Sequence, residues 1–295
     1  MSKILYYLVL KPISLLPFFI LYRISDLLYL LMFTIFSYRK KVVFKNLKNS
    51  FPDKSKKEIK KIAKLFYRHF TDIILESVKN FSINERTLRE RVTFKNLELL
   101  QKYYDQKRSI VVIGAHYNNW ETCGMALGLH FSHKAAGVYA PLSNKFIESK
   151  TFVSRSQFGT ELIPKSDVKK IYNYCDETLV AIVFASDQSP TFNKKVFWTR
   201  FLNQDTAVAF GAEKLAVEKN LPVIFCNILK EKRGYYCVEF ELLCENPKST
   251  TLGEVSEMHT RRLEKEIFKT PQYWLWTHKR WKRKKEKDML KEKMN

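Results

Sequence analysis

The stretch Ser109–Gly124, SIVVIGAHYNNWETCG, places a histidine and a glutamate five residues apart just beyond an apolar run. An imidazole with a carboxylate on one ring nitrogen has a fixed tautomer and a favoured cationic form. Its other nitrogen can then take a proton from a hydroxyl, which is general-base chemistry without a side-chain nucleophile. On a regular helix five positions turn through about 140°, so His116 and Glu121 cannot share a helix face. The two can meet when His116 lies in a loop that folds its ring back toward the first turn of the next helix. H-x4-E is a weak motif by itself. The plainer reading is a strand-end histidine that caps the helix after it.

Other chemistries find less support. There is no G-x-S-x-G elbow, no G-x-x-x-x-G-K-[ST] phosphate loop and no H-E-x-x-H pair. His130 and His133 are close but lack a nearby third ligand, so no metal site is expected. The cysteines are Cys123, Cys175, Cys226, Cys237 and Cys244, an odd count with no C-x-x-C pair. They read as reduced thiols in a cytosol-facing protein.

The elements that would position His116 come from hydrophobic pattern. SIVVIG is a buried strand, and TLVAIVFAS the strongest one. Ligands of open α/β sheets gather beyond the carboxyl ends of strands. His116 stands there, and Asp187 and Gln188 end the TLVAIVFAS strand at the same sheet edge, either as site-lining groups or as an ordinary turn. KAAGVYA and TELIP are further strands, and PVIFCNILKEKRGYYCVEFELL is a hairpin turning near Arg233-Gly234. Between them lie helices: NNWETCGMALGLHF, SNKFIESKTFVSRSQF, SDVKKIYNYCDE capped by Ser166, TAVAFGAEKLAVEKN capped by Thr206, and LGEVSEMHTRRLEKEIF. This alternation predicts an α/β sheet covered on both faces. A basic amphipathic helix over 53–80, with Ser55 as its cap, lies over the core.

Residues 4–37 differ from the rest, being apolar except for Lys11, Arg23 and Asp26. No uninterrupted apolar run reaches the ~18 residues of a confident spanning helix. Arg23 and Asp26, three apart, are expected to neutralise each other. No small-x-small site ends the run, so a signal peptide fits poorly. One imperfect spanning helix, a shallow hairpin in one leaflet and a partly embedded helical platform remain open, beside an apolar helix of a soluble core. The basic segment Tyr38–Lys48 that follows favours the membrane and a cytoplasmic catalytic side. The whole chain has 295 residues, with 52 Lys and Arg against 30 Asp and Glu, a net charge of +22. Such a field attracts polyanions: nucleic acid, anionic lipid, phosphorylated substrate or an acidic carrier protein. The basic residues are spread over the chain, which does not favour nucleic acid.

GAHYNNWE resembles the H-x4-[DE] motif of the glycerolipid acyltransferase superfamily. YRKKVVFKNLKNSFP is similar to the entry segment of the lipid A biosynthesis acyltransferases of the late lauroyl/myristoyl type. YAPLSNKFIESKTFVSRSQFGTELIPK resembles their second block, with Asn144, Arg155 and Gly159 in place. SDQSP with VFWTRFLNQDTAVAFGAEKLA resembles the third, and PQYWLWTHKRWK the C-terminal signature. The resemblance runs from about Tyr38 to Lys282 in four ordered blocks. Gln188-Ser189-Pro190 and Leu202-Asn203 stand where glycine is more usual, and the E-G-T-R block of lysophosphatidate-type enzymes is missing.

The resemblance implies a lysophospholipid-acyltransferase-like α/β fold, a mixed central sheet flanked by helices. With the apolar pattern before the resembling stretch and the charged run after it, the chain divides into a membrane-associating segment 1–37, a catalytic domain 38–281 and a basic tail 282–295. The resemblance implies transfer of an acyl chain from a carrier thioester to a hydroxyl, with His116 as base and Glu121 holding it. No metal and no cofactor are implied; acyl carrier protein, or acyl-CoA, is a co-substrate. The acceptor would be a lipid A precursor at the inner membrane, with Arg155, Asn144, Asp187, Gln188 and Arg280 as substrate contacts. Trp274, Trp276 and Trp281 read as packing residues. Another acceptor (a lysophospholipid, an aminolipid, an aryl alcohol) and a non-catalytic basic membrane-surface protein are the alternatives.

Overall fold

The computed structural model describes residues 2–191 and 195–285. The chain starts helical: α1 (Ser2–Leu5), a π-helical stretch Tyr6–Leu10, and α2 (Lys11–Leu15). Pro17 breaks the run, and α3 (Phe18–Leu30) continues through a second π-helical stretch, Leu31–Ile35. Next come α4 (Lys40–Ser50), α5 (Lys56–Lys79), α6 (Glu85–Arg91), β1 (Val92–Lys95) and α7 (Leu97–Asp105). The α/β part continues with β2 (Ile110–Gly114), α8 (Trp120–Ala126), β3 (Lys134–Tyr139), α9 (Lys145–Ser156), β4 (Glu161–Pro164), α10 (Val168–Glu177) and β5 (Val180–Ala185). It ends with β6 (Val196–Phe201), β7 (Gln204–Ala209), α11 (Gly211–Lys219), β8 (Val223–Lys232), β9 (Tyr235–Cys244) and α12 (Glu254–Lys269).

Seven strands form the central sheet in the order β1-β9-β8-β2-β5-β3-β4. All pairs are parallel except the β8–β9 hairpin, so the sheet is mixed and flanked by helices, as expected. Strand β2 sits mid-sheet and is apolar throughout because both its faces are covered. Ile110 and Val112 enter one core cluster with Cys123, Ala181 and Tyr236. Val111 and Ile113 enter the other with Ile182, Val223 and Leu215. A third cluster joins Val43, Leu47, Phe66 and Tyr67 of α4 and α5 to Trp274, Trp276 and Trp281.

Helix α5 starts where its capping box dictates: Ser55 accepts from the Glu58 amide while Glu58 bonds back to the Ser55 amide. Such a cap contributes about 1 kcal/mol. Helix α3 runs antiparallel to the second half of α5, with Tyr22 beside Glu76, Ser25 beside Asp72 and Phe33 against Tyr67. Asp26 does not pair with Arg23. Its partner is Arg233 at 2.8 Å, which also bonds buried Asp72 at 2.6 Å. The Arg233 guanidinium, coming from the β8–β9 turn, uses its several N–H donors to hold both carboxylates at once. Gly234, at φ +76°, lets that turn close against the Tyr22 hydroxyl, where a Cβ would collide.

Two further local expectations are corrected. Thr206 lies in β7 and not at a helix cap, because β6 and β7 form a hairpin over 196–209. Leu202 and Asn203 make its two-residue turn with φ of +48° and +62°, which explains why glycine would suit both. Helix α10 is capped by Asp167, not Ser166. Of the tail expected from Lys282, residues 286–295 lie outside the described residues. Its first part is anchored, since Arg283 is buried and donates to the Thr191 carbonyl at 2.9 Å.

Candidate active site

Strands β2 and β5 are parallel neighbours in the register Gly114↔Ala185. Two residues beyond each paired position stand His116 and Asp187. The side chains meet there: His116 Nδ1 lies 2.7 Å from Asp187 Oδ1. The other carboxylate oxygen accepts from the Trp274 indole at 2.8 Å. Asp187 is buried. Burial pushes its carboxyl up, but the His116 charge and hydrogen bond and the Trp274 bond outweigh it and hold the group far below the usual carboxylate range. Burial draws the His116 ring down, while the Asp187 charge and hydrogen bond and the Glu121 charge carry it above the ordinary value. Nδ1 thus carries the proton toward Asp187, and Nε2 has no hydrogen-bond partner among the described residues. The ring is 20% exposed, with Trp120 edge-on at 5.1 Å.

The expected bond between Glu121 and the imidazole is not formed. Glu121 sits in the first turn of α8, and both its oxygens are held by Arg155 of α9, at 2.8 and 2.6 Å. A two-pronged guanidinium matches a carboxylate better than one ring nitrogen does. Glu121 therefore acts on His116 through its charge. Arg155, expected as a substrate contact, is committed to Glu121.

The loop between His116 and α8 is held from several directions. Asn118 adopts φ +53°, donates its amide to the Ile228 carbonyl at 2.6 Å, and its backbone N–H reaches the Tyr273 carbonyl at 2.9 Å. Tyr117 bridges to Trp274, and its hydroxyl bonds Thr270. Asn119 caps α8, accepting from the Thr122 amide at 3.0 Å. The C-terminal segment is thus part of the site. Trp274, Trp276 and Trp281 are buried, as the packing reading expected. His278 accepts the Ser189 N–H at 3.1 Å and fixes the turn after Asp187. Burial pushes its ring down to about 4, so it stays neutral and keeps the lone pair this bond needs.

The other expected contacts are placed differently. Arg280 is 2% exposed and donates to the Ala207 carbonyl at 2.8 Å, so it offers no surface to a phosphate. Burial pulls its guanidinium down to about 10. Asn144 is exposed and caps α9. Gln188 is half-buried beside Asp187, with no hydrogen bond among the described residues. A cleft of about 470 Å³, lined by Tyr104, Phe131, His133 and Lys134, opens at the amino ends of β3 and β5, across the sheet from His116. No cluster of metal-ligating side chains occurs among the described residues.

Reading the sequence placed Asp187 at the right edge but did not make it the partner of His116. The available signal was its position, one strand-end residue matching another across adjacent strands. The indole bond of Trp274 had no signal in the sequence, because it depends on where the C-terminal segment returns.

The profile of the bacterial lipid A biosynthesis acyltransferases matches residues 1–283. The chain is 23% identical over 273 residues to a lipid A biosynthesis lauroyltransferase of Escherichia coli K12, covering 92% of this chain and 88% of that protein. It is 22% identical over 245 residues to a lipid A biosynthesis palmitoleoyltransferase of the same strain, covering 83% and 79%. A lipid A biosynthesis acyltransferase of Haemophilus influenzae is 24% identical over 248 residues, covering 83% and 78%. A match over nearly the whole length, on a fold that brings a buried carboxylate to a strand-end histidine, makes this chain an O-acyltransferase of the bacterial lipid A biosynthesis acyltransferase family.

Proposed function

We propose that the protein transfers a fatty acyl chain from an acyl-carrier-protein thioester, or from acyl-CoA, to a hydroxyl of a phosphorylated lipid A precursor. The observation that carries this reading is the His116 ring, with Nδ1 held by Asp187 and Nε2 open. Nε2 takes the acceptor's hydroxyl proton as the oxygen attacks the thioester carbon. The imidazolium so formed is stabilised by Asp187 and by the charge of Glu121. The C–O bond forms, the tetrahedral oxyanion collapses, the C–S bond breaks, and the thiolate leaves with the proton from Nε2. No acyl-enzyme is required.

The surface supports where this happens. Phe18–Ile35 is long and apolar enough to cross a bilayer, with a mean hydropathy of 1.7, and 22% of it is buried on the rest of the chain. Ile4, Leu8, Phe19, Leu27, Ile35 and Phe36 are exposed. Helices α4 and α5, which follow this segment, carry exposed lysines, among them Lys41, Lys45, Lys48, Lys57, Lys60 and Lys64. Apolar insertion plus a polybasic surface is a two-signal membrane attachment. With Asp26 bonded to the β8–β9 turn, α3 lies along the domain, which favours a partly embedded platform on the cytoplasmic face of the inner membrane. The same positive field favours an acidic carrier.

The test is acyl transfer in vitro from an acyl-carrier-protein thioester to a tetra-acylated lipid A precursor, with wild type beside His116→Ala. Transfer that falls roughly 10²–10⁴-fold in the variant supports the reading. His116-dependent thioester hydrolysis without transfer discards the acceptor and keeps the chemistry. No His116-dependent reaction with any donor rejects the enzyme mechanism.

A further inference from the structure

Away from the reacting atoms, one buried carboxylate is spoken for by neither the chemistry nor an ion pair. Glu76 of α5 is 4% exposed and, among the described residues, has no salt-bridge partner. Three neutral donors from three other parts of the chain converge on it. Asn119 Nδ2 donates to Oε2 at 2.6 Å, the Tyr236 hydroxyl to the same oxygen at 2.8 Å, and the Tyr22 hydroxyl to Oε1 at 3.0 Å. A buried carboxylate without a cation is expensive and persists only where its hydrogen bonds are complete.

Burial raises the Glu76 carboxyl above its usual range while the bonds from Tyr236, Asn119 and Tyr22 pull the other way, and in all three bonds Glu76 is the acceptor. The Asn119 amide presents its NH₂ to Glu76, which leaves Oδ1 for the Thr122 amide at the start of α8. Asn119 is therefore a strut with both ends defined. It stands three residues after His116 and two before Glu121. The helix it caps carries Trp120, which packs edge-on to the His116 ring, and Glu121, whose charge acts on it. We propose that Glu76 is a positioning residue for the His116–Glu121 loop, acting through Asn119. The same carboxylate ties that loop, through Tyr22, to the apolar helix α3. The proposal rests on the reading of His116 as the base.

The test uses the full chain in detergent micelles, with acyl-carrier-protein thioester and lipid A precursor as substrates. Asn119→Asp keeps the cap, since Asp caps as well as Asn, but sets a carboxylate against Glu76. Its kcat should fall 10–100-fold with KM within threefold of wild type, and the Asn119→Asp/Glu76→Gln double variant should recover to within threefold. Asn119→Ser also keeps a cap but cannot reach Glu76. It should fold and lose five- to tenfold in kcat, which covers the case in which Asn119→Asp does not fold. Wild-type kcat in Asn119→Ser, or a double variant no better than Asn119→Asp, overturns the proposal. His116→Ala run alongside separates two failures. Unchanged turnover there overturns the base assignment and this proposal with it, whereas lost turnover there with wild-type kcat in the Asn119 variants overturns the positioning role alone.

Discussion

His116 and Asp187 stand two residues beyond paired positions of adjacent parallel strands, and their side chains meet at 2.7 Å. The register Gly114↔Ala185 thus does what a sequence motif would otherwise have to do. It delivers a carboxylate to an imidazole from 71 residues away. Because Asp187 is buried and its second oxygen is held by Trp274, the carboxylate cannot swing away when the ring gains a proton.

Asp187→Asn keeps the shape and removes the charge. The rate at its pH plateau should fall roughly 10²–10⁴-fold, as a base loses its orienting anion. The proposed base works in its neutral form, so activity should decline as pH falls through the raised His116 pKa. Without Asp187 that pKa drops, and the acid limb of the profile should move to lower pH. A pH–rate series on both proteins checks this; an unmoved acid limb would mean that Asp187 does not set the ring's charge.

Glu121 and Arg155 should behave as one unit. Glu121→Ala and Arg155→Ala are each expected to lose about 10–100-fold in kcat/KM, about 1.4–2.7 kcal/mol of transition-state stabilisation. The double variant should be no worse than the poorer single, because each change already breaks the bidentate pair. Full additivity in the double-mutant cycle would show that the two act separately.

Arg233 joins Asp26 of α3 to Asp72 of α5. Arg233→Ala leaves Asp72 buried with Lys230 at 3.8 Å and the Ser25 hydroxyl at 2.7 Å as its remaining partners among the described residues. Breaking a buried pair costs about 3–5 kcal/mol, and partial exposure of Arg233 reduces this to about 2–3 kcal/mol, a Tm lower by roughly 3–5 °C in a chain of this length. Thermal unfolding in detergent reads it. An unchanged Tm would mean that the cluster does not secure α3 to the domain.

Membrane attachment should separate into its two signals. Phe19→Asp with Leu27→Asp should release the protein from vesicles of any charge. Lys57→Glu with Lys60→Glu and Lys64→Glu should weaken binding to anionic vesicles alone, at low salt more than at high salt. Flotation on neutral and anionic liposomes measures both. Equal binding by all variants would remove this face from the interface.

Much of the architecture was legible because burial on two faces writes itself into composition. The strands SIVVIG and TLVAIVFAS are apolar without alternation, and the Ser55 cap and the Arg233-Gly234 turn follow from local chemistry. What was misread is local structure decided by distant contacts. Thr206 sits before a helical pattern, yet β6 and β7 pair because Leu202 and Asn203 accept left-handed turn conformations. Arg280 reads as a substrate contact, yet the return of the C-terminal segment buries it against the Ala207 carbonyl of β7.

The sequence by itself determined that a histidine stands at a strand end in an α/β sheet, that the first 37 residues are apolar and that the chain is basic. Those properties reside in residue types and their spacing along one segment. Only the tertiary structure decided which carboxylate holds the ring. Glu121 is nearer in sequence, but the α8 turn aims it at Arg155. Asp187 is nearer in space, because strand register rather than chain separation sets the distance between two side chains.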